Sequence, residues 1–408
     1  MKGDSSMPGI NRTRSTSHNQ RGAILPLVAI SLIGILGMAA LALDMSHAHL
    51  EKTRLQNSLD AAALSAAKVL DQTGNTLVAE TAGRDTFASN LAEPGNTTLG
   101  EALDGGSLTV TVEFSSTLDP FVPATLPAQY VRVRAAGYDV KNWFAPLFGL
   151  NRTEIPGTAV AGPSPTLANV CNVAPMMVCG TPPASAPPGT TYGYSRGDVE
   201  MLKIGSGTSS EVGNGNFYLV RLDGSAGGAD VRDAAAGKYH SCLSNGEVVE
   251  TEPGNTVGPF AQGINTRLGV YKGPVNASDY PPDWFTDHAN YTEADYQNGT
   301  APGFDLDWYL SKMANVDPTT PPSGVPGRRI LTVPVGDCNG LANGQSSVDL
   351  LGFACFYMIT EMAQTGQALF FGQFKDDCGG NGVPGPNPVT GPGPHVIQLY
   401  KDPDTLDS

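Results

Sequence analysis

No cysteine occurs before Cys171 in this 408-residue chain, and no two of its six cysteines form a C-x2-C pair. A cysteine metal site of the usual tight-pair spacing is therefore excluded. Basic residues are scarce past Arg21: 20 stand against 38 acidic ones, a net charge of −18. The basic footprint that nucleic-acid binding needs is missing, so no nucleic-acid partner is expected. Only six histidines are present, His18, His47, His49, His240, His288 and His395, which leaves few general bases. His240-Ser241-Cys242 are neighbours but lack the strained G-x-S-x-G elbow of a nucleophile. The glycine clusters at 205–207, 213–215 and 227–228 have no following helix and lysine to cradle a phosphate. No cofactor is expected, and the chain does not read as an enzyme.

What is present is concentrated near the N-terminus. Residues 1–21 hold Lys2, Arg12, Arg14 and Arg21 against Asp4, a net of +3, in a polar stretch without periodicity. They read as a disordered cytosolic tail. Gly22 to Leu43, GAILPLVAISLIGILGMAALAL, is uncharged and apolar. Its length as a helix, roughly 33 Å at about 1.5 Å per residue, is enough to span a bilayer core. Pro26 falls in the first turns, where a missing amide costs least. The basic flank sets the N-terminus in the cytoplasm and sends the acidic remainder outward. The alternative is a cleaved secretory signal, for which Ala40-Leu41-Ala42 supplies a small-x-small cleavage pattern.

Helical character continues past the span. Asp44 to Leu70 contains no Gly or Pro and is rich in Ala, Leu, Gln, Lys and Glu. Leu41, Met45, Ala48, Leu55, Leu59, Ala62, Ala66 and Val69 make an apolar stripe, with Glu51, Lys52, Arg54 and Lys68 available for wetter positions. One rod of about 48 residues, roughly 72 Å long, is expected. Asp60 lies among alanines. It either pairs with a partner helix or stays solvated beside Arg54 and Lys68.

The same residues resemble a known family. Arg21-Gly22-Ala23, Pro26-Leu27, Asp44, Leu55-Gln56-Asn57 and Asp60-Ala61-Ala62-Ala63-Leu64 are similar to the N-terminal region of TadG-like proteins of the tight-adherence (Flp) pilus assembly machinery. The likeness covers about 50 residues and fades through the next hundred. It implies a bitopic protein of the bacterial inner membrane, with lipid and other pilus-assembly or pilin-like proteins as partners. Pilin-type precursors are cleaved after a Gly five residues before a Glu. Gly22 is followed at that distance by Leu27, so the cleavage signal is absent.

Along the rest of the chain, Gly74-Asn75 makes a turn and Thr76 caps a second helix to about Leu91. Ser107 to Ser115 and Gln129 to Ala135 alternate apolar and polar residues as strands. A short apolar helix from Trp143 to Leu150 precedes a third strand near Thr153 to Ala161. This order gives an α+β module over 44–162, a long helix packed on a three-stranded antiparallel sheet. Gly162-Pro163-Ser164-Pro165 marks a boundary, and 163–408 reads as a β-rich periplasmic domain with Pro/Gly-rich loops. Strands are expected at Met201 to Ile204, Asn216 to Leu222, Glu247 to Glu250, Arg328 to Val335 and His395 to Tyr400. Residues 253–303 read as surface excursions, and Arg328-Arg329 as an exposed strand start. The six cysteines, Cys171, Cys179, Cys242, Cys338, Cys355 and Cys378, are disulfide candidates in an oxidising compartment, with 15 connectivities open. Asp223-Gly224-Ser225-Ala226-Gly227 carries the Asp and first Ser of a metal-ion-dependent adhesion motif but ends in Gly. A strand followed by a Gly-rich turn is the simpler reading, and no metal is expected.

The expected role is structural, in assembly, anchoring or tip function of a tight-adherence pilus. An adhesin or ligand-binding module on the same anchor is the second reading, and a periplasmic enzyme the third.

Overall fold

The structure, a computed structural model, describes residues 24–124, 126–203, 216–222, 227–239, 241–253, 256–339, 345–366, 368–385 and 391–405. Among the described residues, α1 (Ile24–Thr73), α2 (Thr76–Leu91) and α3 (Thr97–Asp104) come first. Strands β1 (Thr109–Ser115), β2 (Tyr130–Ala136), β3 (Asp139–Lys141), β4 (Arg152–Glu154) and β5 (Gly157–Pro163) follow. The fold is α+β, with a long apolar N-terminal helix, antiparallel sheets and three disulfides in the β-rich C-terminal part. Two units divide it: residues up to Lys52 with Asp139–Ile155, and Thr53–Tyr138 with Pro156 onward.

In the first unit, α1 contributes an 18-residue window of mean hydropathy 2.5, none of it covered. β3 and β4 pair as a short hairpin whose loop holds a 3-10 turn, Ala145–Phe148. Gly149 closes that turn at φ 83°, a left-handed conformation that glycine adopts without steric cost. The short helix expected between Trp143 and Leu150 is thus a single 3-10 turn. The strand expected from Thr153 to Ala161 is split at Ile155-Pro156, where proline has no amide to donate. Glu51, expected in a wetter position, is 1% exposed.

In the second unit, α1 buries Leu55, Leu59, Ala62, Ala63, Ala66, Ala67 and Leu70. These positions recur at three and four residues and form one helical face. Leu70 closes the stripe, and Val69 is only half-buried. Asn75, not Thr76, caps α2: its side-chain oxygen accepts from the amides of Leu77 (2.9 Å) and Val78 (3.1 Å). The Asn75 amide nitrogen also donates to the carbonyls of Ala314 and Val316, which explains why an asparagine serves there. The small helix α3 was not foreseen. Strands β1, β2 and β5 form the expected antiparallel set, but a fourth strand joins them from the far end of the chain.

The remaining elements are β6 (Asn169–Cys171), β7 (Val178–Cys179), β8 (Val199–Lys203), β9 (Asn216–Val220), α4 (Gly228–Ala236), β10 (Cys242–Ser244) and β11 (Val248–Pro253). Then come α5 (Val257–Ile264), α6 (Glu293–Gln297), α7 (Leu306–Ala314), β12 (Ile330–Gly336), β13 (Ser347–Met358) and β14 (Phe370–Lys375). β15 (Asp377–Gly379), β16 (Asn381–Val383), β17 (Gly393–His395) and β18 (Ile397–Tyr400) end the chain. β13 is the spine of the largest sheet, bonded to β12 along one edge and to β11 then β14 along the other. Alternation along β13 splits the core: Phe356 and Met358 face Phe260 and Ile264 of α5, while Tyr357 and Ile359 face Leu306, Tyr309 and Met313 of α7. The stretch read as surface excursions therefore supplies a buried helical layer to this sheet. Pro334 is accommodated because β7 pairs with β12 only at Val335 and Gly336.

Arg329, read as an exposed strand start, is fully buried. Its guanidinium donates to the carbonyls of Met358, Phe285 and Asp287 and lies 4.5 Å from the centre of the Tyr357 ring. A buried cation survives only when its donors are matched in this way. The disulfides join Cys171 to Cys242, Cys179 to Cys338 and Cys355 to Cys378, spanning 71, 159 and 23 residues. By loop-closure entropy each would stabilise the fold by about 3–5 kcal/mol at most.

β18 pairs antiparallel with β5, from Ile397 opposite Pro163 to Tyr400 opposite Val160. Beyond it, Arg132 of β2 holds Asp404 (2.5 Å) and Asp402 (3.4 Å) while also bonding Glu113 (2.8 Å). Arg132 is 3% exposed, so these partners are structural. Deleting residues 397–408 should expose the β5 edge, leave Arg132 with Glu113 alone, and cost about 3 kcal/mol or more. Hydrogen exchange at residues 160–162 provides the check: unchanged protection would mean that β18 is dispensable.

Candidate functional site

Three polar positions of α1, Asp44, Gln56 and Asp71, mark the candidate site, because each binds a segment remote in sequence. In the first unit, Asp44 follows directly on the apolar run and is 6% exposed. Its carboxylate accepts from the backbone amides of Trp143 (2.8 Å), Phe144 (2.9 Å) and Ala145 (2.5 Å). Burial alone would raise its pKa. The three amides and nearby His47 outweigh that and hold the carboxyl below its usual range. Asp44 thus acts as an anionic cap for the loop that opens the 3-10 turn. The His47 ring packs on Trp143 with centroids 4.3 Å apart and sits 3.9 Å from Glu51.

In the second unit, Gln56 donates from Nε2 both to Asp60 Oδ1 (2.8 Å) and to the Thr158 carbonyl of β5 (2.8 Å). Asp60 therefore orients Gln56 across one helical turn, and Gln56 fixes the register of α1 on the sheet. On either side of it, Leu55 and Leu59 press on Gly157, where an added Cβ would meet Leu59 Cδ1 at 2.8 Å. Asn57 is exposed. Pro26 lies exposed in the first turn of α1, and Arg21 and Gly22 fall outside the described residues.

At the end of α1, Asp71 Oδ1 lies 2.7 Å from Nε2 of His395. The pair borders a cavity of about 410 Å³ whose lining includes Lys68, Gln72, Thr332 and Asn381. Burial pushes the His395 pKa down, but Asp71 and then Asp377 raise it against Lys375, and the net shift is upward. A His–Asp pair can hold a proton, but His395 is committed to a charge-assisted bond with the helix. Every described cysteine is in a disulfide, so the cavity offers no thiol. Among the described residues no group of three or more His, Cys, Asp or Glu could hold a metal ion. Asp223-Gly224-Ser225 and His240 lie outside the described residues.

Asp44, Leu55, Gln56 and Asp60 are among the residues that carry the family resemblance, whereas the Asp71–His395 pair is marked by no motif. Its members are 324 residues apart, and no local pattern links them.

The sign of its pH dependence follows from the raised His395 pKa. The stabilisation is fully present below the ordinary histidine value of about 6.5 and fades as pH rises through the raised folded value. His395→Ala should cost about 1–3 kcal/mol at mildly acidic pH and progressively less under alkaline conditions. Thermal melting of both proteins across that range measures it, and a pH-independent gap would rule out the charged pair.

No curated protein and no solved structure matches the chain. Residues 22–69 match the family model Tad, described as putative Flp pilus-assembly TadE/G-like, over the stretch whose motifs carry the TadG-like resemblance.

Proposed function

We propose that this protein is a membrane-anchored structural or assembly component of a tight-adherence (Flp-type) pilus or a related surface system. The observation that carries it is the coincidence of the family match with an uncovered apolar helix of spanning length. In this reading residues 22–43 cross the inner membrane with the N-terminus in the cytoplasm. Residues 44–162 and 163–408 are then the periplasmic module and domain. Three disulfides fit an oxidising compartment on that side. Its partners are other pilus-assembly or pilin-like proteins, and its role is to hold or position them without catalysing a reaction.

A second reading, a ligand-binding module on the same anchor, is favoured by one feature. A cleft of about 660 Å³ is lined by Pro187, Pro188, Tyr192, Leu351 and Pro392 among others. Apolar clefts of this size commonly receive small ligands.

Two measurements on cells test the proposal. The N-terminal sequence of the protein from native membranes should begin upstream of Leu43, since a start at Leu43, after Ala40-Leu41-Ala42, would abolish the anchor. Deleting the gene should abolish or reduce pili, and the intact chain should restore them. Normal piliation without the protein would remove the pilus role.

A further inference from the structure

The first unit exposes a concentrated apolar patch where the span ends. Outside residues 24–50 of α1, twelve large apolar side chains are exposed among the described residues, and five fall between Trp143 and Leu150. Their exposures are 59% for Trp143, 38% for Phe144, 84% for Leu147, 61% for Phe148 and 60% for Leu150. Contiguous apolar surface of this kind marks an interaction site more often than it marks idle surface.

Asp44 fixes the height of this patch along α1. It binds the amides of residues 143–145, and His47 stacks on Trp143. From Leu43 to His47 the helix rises roughly 6 Å, close to the depth of one headgroup layer. A patch held at that level meets the same bilayer that the apolar run crosses. Charge along the hairpin is ordered to match. Next to the apolar tip Lys141 stands opposite Arg152, and farther from it Asp139 stands opposite Glu154. Moving away from the tip, the order is apolar, basic, acidic, which suits acyl chain, anionic phosphate and water in turn.

We propose that the Trp143–Leu150 loop is a second membrane contact: it inserts into the headgroup and upper acyl region beside the span, with Lys141 and Arg152 at the lipid phosphates. This rests on the anchored reading of α1 and adds a lipid-binding surface to it. The role of Asp44 is positional, holding the loop at the interface without touching lipid itself. Tryptophan, with an apolar ring body and a polar indole N–H, is a usual interfacial anchor at this depth.

The test uses the full chain in vesicles of phosphatidylcholine and phosphatidylglycerol carrying brominated acyl chains. The chain has three tryptophans, and α1 contains none. Trp284 and Trp308 pack partly buried against the α7 core, leaving Trp143 as the probe of the loop. Lipids brominated near the headgroup end should quench emission more than lipids brominated at the chain terminus. Trp143→Phe should abolish that lipid-dependent quenching. Asp44→Ala should weaken it while the protein still floats with the vesicles. Flotation with no lipid quenching, and with Trp143 open to aqueous iodide, would overturn the loop insertion alone. Shielding from iodide in native membranes without lipid quenching would assign the patch to a protein partner and also overturn it. A chain that fails to float would overturn the anchored reading, and this inference with it.

Discussion

Close approach of backbones at small residues is the constraint on which the N-terminal part of the second unit depends. A Cβ on Gly157 of β5 would meet Leu59 at 2.8 Å and Leu55 at 3.3 Å, and one on Gly83 of α2 would meet Ala66 Cβ at 3.0 Å and the Ala62 carbonyl at 3.3 Å. The buried alanines at 62, 63, 66 and 67 keep this face of α1 shallow, so that α2 can approach it closely. Hydroxyls then satisfy one another where the helices touch, with Thr86 donating to Ser65 at 2.8 Å. Tightly packed interiors tolerate few added methyl groups, so the alanine run of the TadG-like motif has a steric origin here.

Packing of small side chains leaves a helix free to slide, and polar contacts remove that freedom. Gln56, steadied by Asp60, reaches one carbonyl of β5, and Asp71 reaches His395. Both contacts are directional, so a shift of one residue along α1 would break them and rotate alanines out of the buried face. The return of β18 onto β5 works in the same sense. It gives the sheet an edge strand from the other end of the chain and places Asp402 and Asp404 on Arg132. The expected boundary near residues 162–165 lies where β5 ends, and the chain crosses back over it.

What was legible in the sequence was whatever depends on local pattern. The 22-residue apolar run, the helix through Leu70 and the strands β1 and β2 can be seen in short windows, and the structure has each of them within its described residues, although Arg132 at a polar position of β2 is buried. Long-range pairing could not be seen. Nothing near His395 announces Asp71, and β18 has no feature directing it to β5. Arg329 looked exposed because charge usually is, yet three carbonyls and two aromatic rings make a buried site for it. The helices between residues 257 and 314 were hidden by turn-forming residues, because α5 is short and contains Gly258, Pro259 and Gly263. Gly263 is required there: a Cβ would lie 2.1 Å from the Arg232 carbonyl of α4.

The division of labour within the matched stretch bears on how an assembly protein would use it. Asp44, Leu55, Gln56 and Asp60 are occupied by contacts inside the chain, and so is the alanine face. Pro26 and Asn57 remain exposed, along with the apolar surface of residues 24–43. Motif residues of the first kind specify the fold of this protein and are not available to another. In the pilus-assembly reading, contacts with a partner protein through this stretch would use the second kind. In the anchored reading, the apolar run offers Gly34 and Gly37, neither with any atom near an added Cβ, as places where another helix could come close in lipid. A partner helix there would be held by packing and interhelical contacts, because lipid removes the hydrophobic drive between helices. Asn57 lies on solvated surface, where a side-chain amide can both donate and accept.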